Sequence, residues 1–200
     1  MGEEHFLNIE QIIPTKNVEE FMIGIADKAL DEIEGVTEEK NRHKVRREFW
    51  TKVIRAIATK TSLFQNVSPG THSWIGAGSD VRGVGFNFVA GRAYGRAELY
   101  IDRGDKEENK FIFDQLYAKK ESIETAFDRT LTWEKLEDRR ACRIKCEMPG
   151  NIYDPDQWPT LIEFMTDAMV RMENTFKEPL ADINRQLEKR ERASLAPTIL

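Results

Sequence analysis

The chain has 200 residues, 40% of them apolar and 32% charged, with 4 Trp, 11 Phe and 4 Tyr. That is enough large apolar material for one packed domain, and it excludes a fully disordered polymer. The net charge of -5 excludes an indiscriminate polyanion binder but hides an asymmetry: residues 1–39 carry a net -9, residues 40–103 a net +8 and residues 104–200 a net -4.

No run approaches the ~18 consecutive apolar residues of a membrane span. The acidic opening Met1-Gly2-Glu3-Glu4-His5 lacks the basic and apolar regions of a secretory signal. The two cysteines, Cys142 and Cys146, sit four apart in a segment of strand periodicity. About 13 Å then separates their Cα atoms, beyond the ~7 Å limit of a disulfide. Both are expected to be core thiols in a protein of the reducing cytoplasm.

In chain order, Asn17 is placed to cap a helix over about 18–34, with Glu20 completing a capping box and Gly35 as its stop. Thr37, followed by Glu38 and Glu39, opens a second helix to about residue 59. Its apolar stripe is Val45, Phe49, Val53, Ile54 and Ile57. At 100° per residue Lys40, Lys44, Arg47 and Arg55 fall on the opposite, wet side. Arg46 lies within the apolar arc, where it must snorkel or meet a carboxylate.

From Ser62 onward alternation replaces the helical period. Strands are predicted over about 73–78, 83–90 and 94–102, joined by tight turns as an antiparallel meander. Val84, Phe86 and Phe88 share one face of the second. In the third, Leu99 and Ile101 share one face, and Arg96, Glu98, Tyr100 and Asp102 share the other. Asp105 with Glu108 repeats the capping signature and starts a helix to about 120, with Ile112, Phe113, Leu116 and Tyr117 as its apolar face. A short helix over about 121–127 follows. Two more strands are predicted over about 131–136 and 140–148, the latter alternating Cys142, Ile144, Cys146 and Met148 against Arg143, Lys145 and Glu147.

The last helix is the longest. Trp158, Ile162, Met165, Met169, Met172 and Phe176 form one stripe, and Pro179 is expected to kink or interrupt it. Leu180, Ile183 and Leu187 extend the stripe to near Arg192, more apolar surface than one small core requires. The order ααβββαββα predicts an α+β fold: a five-stranded, mostly antiparallel sheet with helices on one face and the polar residues on the other. The chain divides into an acidic helical lead-in over 1–39, a core domain over 40–178 and a C-terminal helical extension and tail over 179–200.

Motifs for chemistry are sparse. His5, His43 and His72 have no His-x-x-x-His or Cys-x-x-Cys companion, so no metal site or cofactor is implied. Gly76-Ala77-Gly78 and Gly83-Val84-Gly85 precede no helix start and are hairpin glycines rather than phosphate loops. Glu38-Glu39-Lys40 and Glu108-Asn109-Lys110 place their Glu-x-Lys letters at helix starts, and Trp133-Glu134-Lys135 has the wrong spacing. A magnesium-dependent nuclease core is therefore not encoded, nor is a serine nucleophile elbow. What remains is the polar sheet face.

Several blocks resemble a known family. They are Arg46-Arg47-Glu48-Phe49-Trp50, Trp74-Ile75-Gly76-Ala77-Gly78 with Gly85-Phe86-Asn87-Phe88, and Glu98-Leu99-Tyr100-Ile101-Asp102-Arg103-Gly104-Asp105. Arg139-Arg140-Ala141-Cys142-Arg143-Ile144 and Trp158-Pro159 with Ile162-Glu163-Phe164-Met165 complete the set. In order over about residues 40–180, they resemble the domain of unknown function 4268, an uncharacterised bacterial and archaeal family. The resemblance implies a setting in DNA processing or defence, since members often follow a restriction-endonuclease-like nuclease. It supplies no catalytic residues. Residues 1–39 have no room for such a nuclease, so the domain stands alone or belongs to a larger protein.

The expected function is a non-catalytic accessory module of a nucleic-acid-processing or defence system. It would contact nucleic acid or a partner protein through Lys44, Arg47, Arg55, Arg96, Glu98, Tyr100, Asp102, Arg143 and Lys145. One alternative is a metal-assisted phosphoester hydrolase built on Glu98 and Asp102 with His72 or Lys145 assisting. Another is an assembly domain forming a homodimer through the stripe beyond Pro179.

Overall fold

The computed structural model describes the backbone of residues 16–195 and the side chains of residues 35 and 37–192. Residues 1–41 and 42–200 form two units, and the second holds the sheet and its core. The side chains predicted to face inward over 18–34, and the predicted cap Asn17, lie outside the described side chains.

A single helix, α1 (Lys16–Ala58), replaces the two predicted ones. A glycine stop needs the left-handed backbone, and Gly35 does not adopt it. An interior glycine costs only about 1 kcal/mol, whereas ending and restarting a helix strands two more sets of terminal backbone groups. Thr37 is accordingly a helical residue, not a cap. Further along, Phe49, Trp50, Val53 and Ile57 are buried. Arg46 finds no sheet carboxylate: its Nη1 donates to the Thr71 carbonyl at 3.2 Å.

The strands are β1 (Trp74–Gly78), β2 (Val84–Ala90), β3 (Tyr94–Ile101), β4 (Thr132–Glu134) and β5 (Cys142–Pro149), in the order β1-β2-β3-β5-β4. Every pairing is antiparallel. The helices are α2 (Lys106–Tyr117), α3 (Lys120–Phe127) and α4 (Trp158–Leu195). Asp105 caps α2 as expected, accepting the Glu108 N–H at 2.8 Å. Tyr117 departs from the predicted apolar face and is half exposed. Lys110 is buried in its place, reaching the carbonyls of Lys135, Leu136 (2.9 Å) and Ala141 (3.3 Å). Those inward-turned carbonyls are why β4 stops at Glu134 rather than near 136: they bond to an ammonium instead of a neighbouring strand.

One face of the sheet carries Ile75, Phe86, Phe88, Ala97, Leu99, Cys142 and Ile144 into the core. Both cysteines are buried there and free. Opposite them α4 presents Trp158, Leu161, Met165, Ala168, Met169, Met172 and Phe176, with Leu161 taking the position predicted for Ile162. Gly95 lets α4 approach β3 closely, because a Cβ there would stand 2.8 Å from the Met165 sulfur.

Helix α4 continues through Pro179. An interior proline costs about 3 kcal/mol. Leu180, Ile183 and Leu187 are all buried in this chain's own core, and each contributes about 1.5–3 kcal/mol, which outweighs the proline. The stripe expected to be surplus is thus consumed within the fold, which removes the reason for assigning it to a homodimer contact. Among the described residues, no helix is long and apolar enough to cross a membrane.

Candidate ligand-binding face of the sheet

Antiparallel register lays the second sheet face out in rows. Trp74, Val89, Arg96 and Glu147 make one; Gly76, Asn87, Glu98, Lys145 and Thr132 the next; Gly78, Gly85, Tyr100, Arg143 and Glu134 the third. Among the described residues, those lining the middle of this face come from strands and the segments that join them, not from helices. Three positions on β1 and β2 are glycines, so the face lacks side chains where its flanks carry large ones. The result is a hollow of ≈ 820 Å³ floored by Gly78 and Gly85, with the Asn87 side chain lying over Gly76, and edged by Trp74, Tyr94, Arg96, Tyr100, Asp102 and Arg143. Such a volume holds a small organic ligand. Trp74 is 52% exposed at its edge, with the His72 ring stacked beside it at 6.5 Å. A Cβ on Gly78 would meet nothing within 4 Å.

The charged residues here are tied together. The Arg96 Nε lies 2.9 Å from Glu98 Oε2, and its Nη1 lies 3.8 Å from Glu147. Arg143 pairs with Glu134 and stands 4.0 Å from Glu98. Lys145 pairs with Glu134 at 2.9 Å and Glu147 at 3.1 Å. Three cations thus face three carboxylates, and the network is neutral. Below it, Arg140 grips Asp102 with two bonds of 2.7 and 2.8 Å. That bidentate grip, with the Gly104 N–H, holds the Asp102 carboxyl below its usual range. Burial pushes Glu134 up, but bonds from Lys145 and Arg143 outweigh it and leave the group lowered.

Glu98 behaves oppositely. Only 3% exposed, it is driven upward by burial, against the pull of Arg96 and Arg143 and a hydrogen bond from the Asn87 amide. Its Oε2 and the Arg96 Nε, 2.9 Å apart as an ion pair, make no other hydrogen bond.

Of the nine residues singled out from the sequence, Arg96, Glu98, Tyr100, Asp102 and Arg143 come together around one hollow. Lys145 joins them through the ion network. Lys44, Arg47 and Arg55 do not: they are exposed on the face of α1 turned away from its buried stripe, and no described carboxylate pairs with them. Asp102 directly follows β3, four residues beyond Glu98 and about 13 Å away between Cα atoms. Asp102 is committed to Arg140, so the two do not form a shared cation site. No three His, Cys, Asp or Glu among the described residues converge to hold a metal ion. Reading the sequence missed Trp74 and Tyr94 as edges and Asn87 and Glu134 as partners. Glycines at 76 and 78, alternating with Ile75 and Ala77, were the available signal: period two puts both absences on one face.

A family model, that of the domain of unknown function (DUF4268), matches residues 45–180. The chain belongs to the DUF4268 family. The matched segment runs from the buried stripe of α1 through every strand and past Pro179, so it contains the whole hollow of this DUF4268 domain. No curated protein and no solved structure matches the chain.

Proposed function

We propose that this DUF4268 domain is a non-catalytic binding module of a nucleic-acid-processing system, and that its open sheet face takes an unstacked base of a single strand into the hollow. One observation carries the reading: a cleft with glycines in its floor, lined among the described residues by strands and their connections alone, and edged by a half-exposed tryptophan and two tyrosines. Single-stranded nucleic acids are held by stacking bases on such aromatics, each stack being worth about 1–3 kcal/mol. The neutral ion network argues the same way. Its cations already hold carboxylates, so they offer little to a phosphate chain, while a flat neutral ring meets no charge conflict.

The test is binding of fluorescent single-stranded octanucleotides. Trp74→Ala is expected to weaken binding about 5- to 100-fold. Gly78→Leu, which enters open space, is expected to abolish it while leaving thermal stability nearly unchanged. Wild-type affinity in both variants would refute the hollow as the binding site.

A second reading rests on a different observation. Lys44, Arg47 and Arg55, with Lys52 over the Trp158 ring at 5.1 Å, form an exposed, mostly cationic face that includes Glu48, and no ion pair holds them among the described residues. Such a face would take a phosphate backbone rather than a base.

A further inference from the structure

We infer that two copies of this chain join edge to edge through β1, about a two-fold axis at Gly76 that makes their sheets continuous and sets their hollows side by side on one face. This pairing goes beyond the base-binding reading and holds whether or not a base enters the hollow. The two ends of the sheet are unlike. The strand order leaves β1 and β4 each with one edge unpaired among the described strands. β4 is defended: it has three residues, carries Glu134, and beyond it the Lys135 and Leu136 carbonyls turn inward to Lys110. Short strands, charges and interrupted ladders keep an edge from recruiting another strand. β1, Trp74-Ile75-Gly76-Ala77-Gly78, has no charge, no proline and no bulge in its pairing with β2.

The open main-chain groups follow from the register. Bonds from the Ala90 N–H to the Ser73 carbonyl (2.9 Å) and from the Ser79 N–H to the Val84 carbonyl (3.1 Å) fix the phase of the β1–β2 ladder. Alternation turns the N–H and C=O of Ile75 and Ala77 toward β2 and those of Trp74, Gly76 and Gly78 outward. Trp50 closes this line at its start by donating to the His72 carbonyl at 2.9 Å, so the open run is Trp74 to Gly78. Two such strands, antiparallel about Gly76, pair all their residues. Each Trp74 then lies across from the partner's Gly78. Directly opposed residues stand about 5.5 Å apart, so a bulky side chain needs a small one opposite. Trp74 is 52% exposed, and a Cβ on Gly78 would find nothing within 4 Å. Each supplies what the other lacks, the aromatic covering the edge glycine. Past the strand, the same register carries His72 toward the partner's Asp80, so no like charges meet. A foreign strand would need this large-to-small order by coincidence, whereas a second copy has it by symmetry.

A ladder this short lies at the small end of specific interfaces, so the dimer is expected to dissociate in the micromolar range. Sedimentation velocity of the full chain without nucleic acid, from about 2 to about 200 µM, is expected to show reversible passage from one copy to two. Gly78→Pro removes an N–H that points away from β2, where an edge strand accepts proline. It is expected to weaken association at least about tenfold while the melting temperature of the dilute protein stays near wild type. The register is tested by preparing Trp74→Cys and Gly78→Cys separately and mixing them under mild oxidation. The chain's own thiols, Cys142 and Cys146, are buried. Mixing is expected to give disulfide-linked dimers, because positions 74 and 78 face each other within the ~7 Å Cα limit. Either variant alone holds its new thiols more than about 13 Å apart. One copy at every concentration, or no linkage on mixing, overturns the inference and leaves the edge to a strand of another protein. A dimer that Gly78→Pro leaves intact also overturns it, as does linkage equally strong in either variant alone. The mixing experiment decides even where Gly78→Pro misfolds. None of these measurements involves a nucleic acid, so each leaves the base-binding reading where it stands.

Discussion

A buried ion is informative when its partners are counted. Lys110 is buried, yet its ammonium reaches three main-chain carbonyls and lies 3.3 Å from the Cys142 sulfur. The loop between β4 and β5 is organised around that charge: Leu136 adopts a left-handed backbone (φ 52°), and the carbonyls on either side turn inward. Charge-assisted bonds are worth about 1.5–3 kcal/mol, and orphaned acceptors cost as much again. Lys110→Met keeps the aliphatic stem but leaves those carbonyls unpaired in the interior. It is expected to lower stability by about 3 kcal/mol in urea denaturation; a loss under ~0.5 kcal/mol would mean that water serves them equally well. Glu98 is the contrasting case. Lys110 has more acceptors than it needs, whereas the Glu98 Oε2 is answered only by the Arg96 Nε at 2.9 Å, so the first ion is over-supplied and the second barely matched.

At the scale of elements, the strands were legible because period two is a property of the backbone: Phe86, Phe88, Leu99 and Ile144 fall on the buried face where alternation put them. The same rule placed Arg96, Glu98, Tyr100 and Arg143 together on the other. Their partners were not legible. Arg140 meets Asp102 across 38 residues, and Glu134 meets Lys145 only because β4 adds to the edge of β5. Register between distant strands is set by packing that no local pattern encodes. Helix ends failed for a related reason. Gly35 and Pro179 are breakers by propensity, but propensity is worth about 1–3 kcal/mol and continuity around them can be worth more. The stripe beyond Pro179 makes this testable. Ile183, 2% exposed, is core, so Ile183→Ala is expected to cost about 2–5 kcal/mol by chemical denaturation. A cost under ~1 kcal/mol would return that stripe to the surface and to a second copy.

On the scale of the whole molecule, the layers separate two kinds of charge. The sheet face keeps its cations in a neutral network around a cleft, while on the outer face of α1 Lys44, Arg47, Lys52 and Arg55 make no ion pair among the described residues. Sequence charge alone merged Arg96 with the α1 cations in one +8 segment and left Arg143 and Lys145 in an acidic one, because a sum over residues does not record which cations already hold carboxylates. The two surfaces differ in how their binding would respond to salt. A base stacked in the hollow displaces few counterions, so between 50 and 200 mM salt its affinity is expected to fall only about threefold, as for one phosphate contact on a single strand. Four phosphates neutralised along α1 would instead lose about 50-fold over the same range. Fluorescence anisotropy with one octanucleotide at both salt concentrations decides between them. A steep fall, abolished by Lys44→Glu with Arg47→Glu but untouched by Trp74→Ala, would move the binding surface from the sheet to the helix. A shallow fall with the reverse pattern of variants keeps it in the cleft, where stacking rather than counterion release supplies the affinity.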